Sequence, residues 1–381
     1  MQSSFFWGGI WTLLVGSLSL WHTPLYAQRT KIIPYTLEAS LSRGYLWNSQ
    51  DNVRHLTSQA PSAVRLAAYR TTDGSADWHS SYRYPKFGLL MQYTDYNNPT
   101  LGRTLALIPV MEFTWVERPK SSLHFQIGSG LCYADNPFDL TDNEQNTMLG
   151  GALNAAMIFS ITYQQRLSQQ LSLRLGTELV HYSSGAYHLP NAGMNMHMFT
   201  AGLRYQPPRN PPLDRPAKSS TDLSKSSPWF VHTAAIGSAV SRTAGDPKRY
   251  AIFNLMIGAG KQLGQRSLLT TGVEYSHSQL HYAEMNARYN IGAIEQLSDF
   301  RRVALFVSHD WLVGPWALYT QVGWYVYHPF DAIDTALYQR LAIRYYPPKT
   351  GYRWFGHFGI KTHYGAAEAI ELGLGYHWKK R

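Results

Sequence analysis

Charge is scarce in this chain. Only 15% of its 381 residues are Asp, Glu, Lys or Arg, against about 25% in an ordinary soluble protein. Cysteine is nearly absent: the single Cys132 excludes an intramolecular disulfide and reads as a small buried or lipid-facing residue in a strand-like run. Beyond the N-terminus there is no apolar run long enough for a transmembrane helix, which needs about 20 residues. Such a run is not required of a membrane β-barrel, where only every second residue must be apolar. What the chain has instead is 26 Tyr, 30 Gly and 14% aromatic residues. The formal charge of +10 is spread over scattered basic residues such as Arg103, Arg204, Lys248 and Arg301. Without a basic stripe no nucleic-acid partner is expected, and anionic lipid headgroups are the better match.

The N-terminal stretch Phe5–Leu20 is apolar and is followed by "LYAQ". This reads as a secretory signal peptide over residues 1–27, although its first residues "MQSS" carry no Lys or Arg. Period-two segments then recur to the end of the chain. In "PWALYTQVGWYVY", Trp316, Leu318, Val322, Trp324 and Val326 share one parity, and Ala317, Tyr319, Gln321, Gly323 and Tyr325 the other. "AIELGLGYHW" repeats the pattern and ends on Trp378, much as outer-membrane barrels end on an aromatic strand, here with "KKR" added. The fold expected is an all-β, antiparallel transmembrane β-barrel of about 16 strands (14–16) in a Gram-negative outer membrane. Its halves would be residues 28–206 and 228–381, joined by the Pro/Ser-rich linker 207–227. Two separate eight-stranded units are the alternative. One continuous barrel is favoured because closing a single sheet leaves no edge in lipid.

Residues 181–195, "HYSSGAYHLPNAGMN", hold the candidate site. In the strand before them, Leu171, Leu173, Leu175 and Leu179 fall on one parity while Arg174 and Glu178 fall on the other. The leucine parity should face lipid, since a charge there is costly, and His181 and Ser183 share it. On the return strand Asn195 and His197 share parity with Phe199, Ala201 and Leu203. A histidine, a serine and an asparagine thus converge on the outward face. The chemistry that fits is hydrolysis of a membrane-embedded ester. Ser183 would be the nucleophile, His181 the general base and then acid, and Asn195 the group that orients the imidazole. Oxyanion or substrate contacts would come from Asn191 and the backbone about Ser184 and Gly185, with Gly185 permitting the bend that brings His181 to Ser183. No metal or cofactor is expected.

The pattern "HYSSG", four residues, "PNAGMN" resembles the outer-membrane lipid A 3-O-deacylases of the PagL type and the longer acyloxyacyl-hydrolase-like proteins. The resemblance spans roughly residues 85–206 and includes "YPKFGLLMQY" and "NNPTLG"; the C-terminal half resembles only the longer relatives. It implies a base at His181, a nucleophile at Ser183, oxyanion help from Asn191, and lipid A as the partner, without a metal. Asn195 stands where the family has an acidic residue, and Ser184 where it usually has Asn. On the same fold, a non-catalytic channel or degenerate deacylase is the competing expectation, with a soluble periplasmic β protein behind it. Other constellations read as structural. Ser308, His309 and Asp310 alternate in direction along a strand. His277, His281, Glu274 and Glu284 lack a defined ligand spacing. Asp77, Trp78 and His79 sit in a polar turn, and Met194, Met196 and Met198 point inward to packing.

Overall fold

The computed structural model describes residues 35–47, 51–208, 229–264, 266–289, 301–329, 335–350 and 353–379. The expected signal peptide and nearly all of the linker lie outside them. The described residues belong to one compact unit. The first eight strands are β1 (Thr36–Leu46), β2 (Ser62–Thr71), β3 (Lys86–Asp95), β4 (Arg103–Glu117), β5 (Ser121–Ala134), β6 (Leu153–Arg166), β7 (Leu171–Ser183) and β8 (Met194–Tyr205). The next eight are β9 (Trp229–Val240), β10 (Tyr250–Gln262), β11 (Ser267–Ser278), β12 (Arg301–Val313), β13 (Trp316–Tyr327), β14 (Leu337–Tyr345), β15 (Trp354–His363) and β16 (Ala366–Lys379).

All pairings are antiparallel, and they close twice rather than once. β8 returns to β1, with Leu37 opposite Tyr205 and Ser42 opposite Thr200. β16 returns to β9, with Gly373 opposite Ile236. The favoured single barrel is therefore corrected to two barrels of eight strands. Unpaired edges do not distinguish the two architectures, because each small closure also leaves no unpaired strand.

Alternation decides the direction of every strand. Along β13, Ala317, Tyr319, Gln321, Gly323 and Tyr325 are buried, while Trp316, Val322, Trp324 and Val326 are exposed on the outer wall. Eight strands leave an interior that side chains can fill, and here charged groups fill it. In the first barrel Glu112 accepts Lys86, Arg174 and Arg204 at 2.8, 2.8 and 2.6 Å, and Arg65 pairs with Glu178. In the second, Arg340 reaches Glu274 at 2.7 Å and Glu371 at 2.5 Å, and Arg344 reaches Asp310 at 3.2 Å. Buried charges are tolerated here because each of these meets an opposite charge. Met194, Met196 and Met198 join the apolar packing inside the first barrel, where Cys132 is also buried.

Among the described residues the connections contain two α-helices that strand patterning passes over. α1 (Asp77–Ser81) lies between β2 and β3, and α2 (Gln279–Tyr289) follows β11. Among the described residues no helix is long and apolar enough to cross a membrane. At the α1 end, Tyr82 Oη donates to Leu312 O at 2.5 Å and Arg266 Nη2 to Ser81 O at 2.6 Å, which ties the β2–β3 connection to the β10–β11 turn and the end of β12.

Candidate active site

β7 and β8 hold their register to the top of the hairpin, so His181 lies directly opposite Asn195. With the amide oxygen turned to the ring, His181 Nδ1 donates to Asn195 Oδ1 at 2.7 Å. That bond fixes the tautomer: the proton sits on Nδ1 and the Nε2 lone pair is left as a base. Ser183, two residues on, ends the strand. Its Oγ accepts from Asn191 Nδ2 and from Gly185 N–H, both at 2.9 Å. His181 and Ser183 are not hydrogen-bonded to each other in this state, but they share a neighbour. A Cβ added to Gly193 would stand 3.0 Å from His181 Cε1 and 3.7 Å from Ser183 Cβ. Gly193 also has φ +75°, a conformation that suits glycine.

The turn is assembled from its own polar groups. Ser184 N–H donates to Asn191 Oδ1 at 3.0 Å, which aims the other end of that amide at Ser183. The Ser184 hydroxyl bridges His188, donating to its carbonyl at 2.9 Å and accepting its N–H at 3.2 Å. Both polar groups of Ser184 are thus committed to shaping the turn. Gly185 adopts φ +56° and turns its N–H onto Ser183. Two outside supports hold the hairpin. From beneath, the β5–β6 connection accepts Ala192 N–H at Thr147 O and Gly193 N–H at Met148 O. From the second barrel, Ser241 Oγ donates to Tyr187 O at 2.8 Å, and Arg249 Nη2 donates to His188 Nδ1 at 2.8 Å while lying over the Tyr187 ring. Burial, and then the Arg249 charge, hold His188 below the ordinary histidine pKa. The sequence reading passed over both supports. The Gly150–Gly151 pair was the local signal for the first, because a Cβ on Gly150 would meet Pro190 O at 2.4 Å.

The expected direction of the site holds, and what it meets is different. His181 and Ser183 lie on the outward parity with Leu175 and Leu179, which are exposed, yet Ser183 is only 3% exposed. The wall of the second barrel stands in front of it. A cavity of about 50 Å³ is bounded by His181, Ser183, Ala155 and Met157 on one side and by residues such as Leu341, Ile360 and Ile370 on the other. A Cβ on Gly185 would strike Ile370 at 2.3 Å. The expectation of direct exposure to lipid is therefore corrected: the site opens into a cleft between two barrels.

The remaining constellations lie apart from this site. Glu178 faces the interior and is held by Arg65, so it cannot serve His181. His197 is engaged by Tyr45 Oη at 2.8 Å and Thr177 Oγ1 at 2.6 Å. Asp310 is buried with Arg344 and Tyr346, whereas His309 contacts Ser267 on the other face. Glu274 is taken up by Arg340, Lys361 and Tyr338. Among the described residues no group of His, Cys, Asp and Glu is arranged to hold a metal ion.

Apolar outer walls around polar, filled interiors define an integral β-barrel membrane protein. Residues 62–204 match the family model described as Lipid A 3-O-deacylase (PagL), and residues 229–380 match that of Acyloxyacyl hydrolase, C-terminal domain. The chain belongs to this PagL and acyloxyacyl hydrolase family, and it is a β-barrel protein of the Gram-negative outer membrane. Among solved structures it is similar to the outer membrane enzyme PagL, at 17% identity and TM-score 0.33 over 43% of this chain and 97% of that one. It is similar also to Neisserial surface protein A, at 11% identity and TM-score 0.32 over 45% and 96%. No curated protein matches the chain.

Proposed function

We propose that this protein is an outer-membrane serine esterase that removes an ester-linked acyl chain from lipid A or a related acylated glycolipid. The observation that carries the reading is the outward-facing group formed by His181 on Asn195 and by Ser183 under the two donors Asn191 Nδ2 and Gly185 N–H. The family description supports the reaction class and the lipid. Ser183 Oγ attacks the ester carbonyl carbon and His181 Nε2 takes its proton. As the carbonyl oxygen gains charge, Asn191 Nδ2 and Gly185 N–H shift from the serine oxygen to the oxyanion, which needs donors fixed in advance. His181 then gives its proton to the departing sugar alkoxide. Water, deprotonated by the same imidazole, releases the fatty acid and restores Ser183.

The test is mass spectrometry of lipid A from cells expressing wild type or Ser183→Ala. The wild type should yield lipid A lacking an ester-linked acyl chain that Ser183→Ala retains. Identical acylation in the two strains would overturn the proposal.

A further inference from the structure

The second barrel contributes nothing to the hydrogen bonds at Ser183 Oγ or the His181 ring, yet its wall closes the cavity there. That cavity adjoins a larger hollow of about 800 Å³ between the barrels, the two sharing Ile127, Gly128, Ser129, Leu318, Ile343 and Phe358 along their borders. Together they occupy one stretch of the seam between the barrels. It starts beside Ser183 and Ile370 and runs along the strands past Leu374 to Trp311 and Trp316, near the short turns at the other end. From Ile370 to Leu374 is four residues of β16, roughly 13 Å of strand. Among the described residues no Asp, Glu, Lys or Arg lines the larger hollow. Size alone does not single it out: a groove of about 740 Å³ lies elsewhere on the first barrel, lined by Leu41, Tyr93, Leu175 and Phe199. That groove touches neither His181 nor Ser183. The border shared with the cavity at Ser183 separates the two.

We propose that the cleft between the barrels is the acyl-chain site, and that the second barrel is the wall that sets which chain lengths are cleaved. This rests on the esterase reading of Ser183. A fatty acyl chain hanging from an outer-leaflet headgroup points toward the bilayer midplane, the direction in which the cleft leaves Ser183. Moving that chain from lipid into an apolar protein cleft yields little net hydrophobic gain, because the surrounding tails are equally apolar. The cleft therefore acts through shape. A chain that fits places its carbonyl at Ser183, and a longer one meets Trp311 and Trp316 before its ester reaches the serine.

The experiment measures kcat/KM of the full-length protein in detergent micelles with p-nitrophenyl laurate and p-nitrophenyl butyrate. Ile343→Trp fills the cleft from the second barrel and should lower the laurate-to-butyrate ratio by about tenfold or more. Ile343→Ala widens it and should raise the preference for chains longer than laurate. Leu175→Trp, in the unconnected groove, should leave the ratio at the wild-type value. A ratio unchanged in both Ile343 variants would overturn the proposal, as would an equal shift in Leu175→Trp. If Ser183→Ala cleaves both esters as fast as wild type, it is the esterase reading that fails instead.

Discussion

Asn195 holds the His181 ring with a neutral carbonyl oxygen where the resembling enzymes have an acid. An amide can fix the tautomer, but it stabilises the imidazolium formed during attack less than a carboxylate does. The neutral residue has its own logic here. Asn195 sits partly buried on the outward face beside the His181 ring, where a charged carboxylate would lose hydration that a neutral amide needs less. Asn195→Asp should therefore raise kcat for a soluble ester by about tenfold or more, with some loss of stability. An unchanged or lowered kcat would show that orientation alone is what His181 requires. On the same ground Asn191→Ala should lower kcat by about a hundredfold or more, as loss of an oxyanion donor does, and leave KM for the butyrate ester nearly unaltered. The shared face of His181 and Asn195 was legible from parity, because period two fixes which side chains share a face. The Asn191–Ser184 bond was not, since it depends on how a turn folds back over several residues.

At the scale of elements, the β7–β8 hairpin is a small polar turn clamped between the β5–β6 connection and the β9–β10 end of the second barrel. The Arg249–His188 contact needs a neutral imidazole, because a protonated ring would face a guanidinium with no lone pair to offer. His188 is held below its ordinary pKa in the docked state, so the undocked state binds more protons across that interval. Docking is therefore strongest above the ordinary histidine pKa and weakens as pH falls through and below it. Hydrogen exchange of the Tyr187 and His188 amides should speed up between about pH 7 and about pH 5 beyond the intrinsic change. Arg249→Ala should show fast exchange at both, and His188→Gln should flatten the dependence. Exchange in Arg249→Ala equal to that of wild type at neutral pH would count against the clamp. Most strand positions were readable: β13 was expected over 315–328 and spans Trp316–Tyr327. β6 was expected from residue 148 and begins at Leu153. The apolar run before it, Met148–Leu149, looks like strand but is packed beneath the β7–β8 turn, a contact that periodicity does not encode.

For the whole molecule, two filled barrels in place of one wide one remove the aqueous lumen that a sixteen-stranded closure would suggest, and with it the physical basis of a channel. Stability then rests partly on charge networks that must stay complete. Glu112 is the partner of Lys86, Arg174 and Arg204. Glu112→Ala strands the buried Lys86 and leaves Arg174 and Arg204 to share Glu38, and should cost about 3–5 kcal/mol, read as a lower urea midpoint in detergent. A change of under about 1 kcal/mol would mean that water or Glu38 takes over the pairing.

The sequence by itself determined the class of protein, the approximate number and most positions of its strands and the outward direction of His181, Ser183 and Asn195, since each follows from composition and from the two-residue alternation of a strand. Only the tertiary structure decided that β8 closes on β1 and β16 on β9, and that the serine therefore faces a second wall of protein. Alternation says which way a side chain points. Which strand lies beside which, and what stands opposite the outer face, is set by pairing between residues far apart in the chain, and no local pattern carries it.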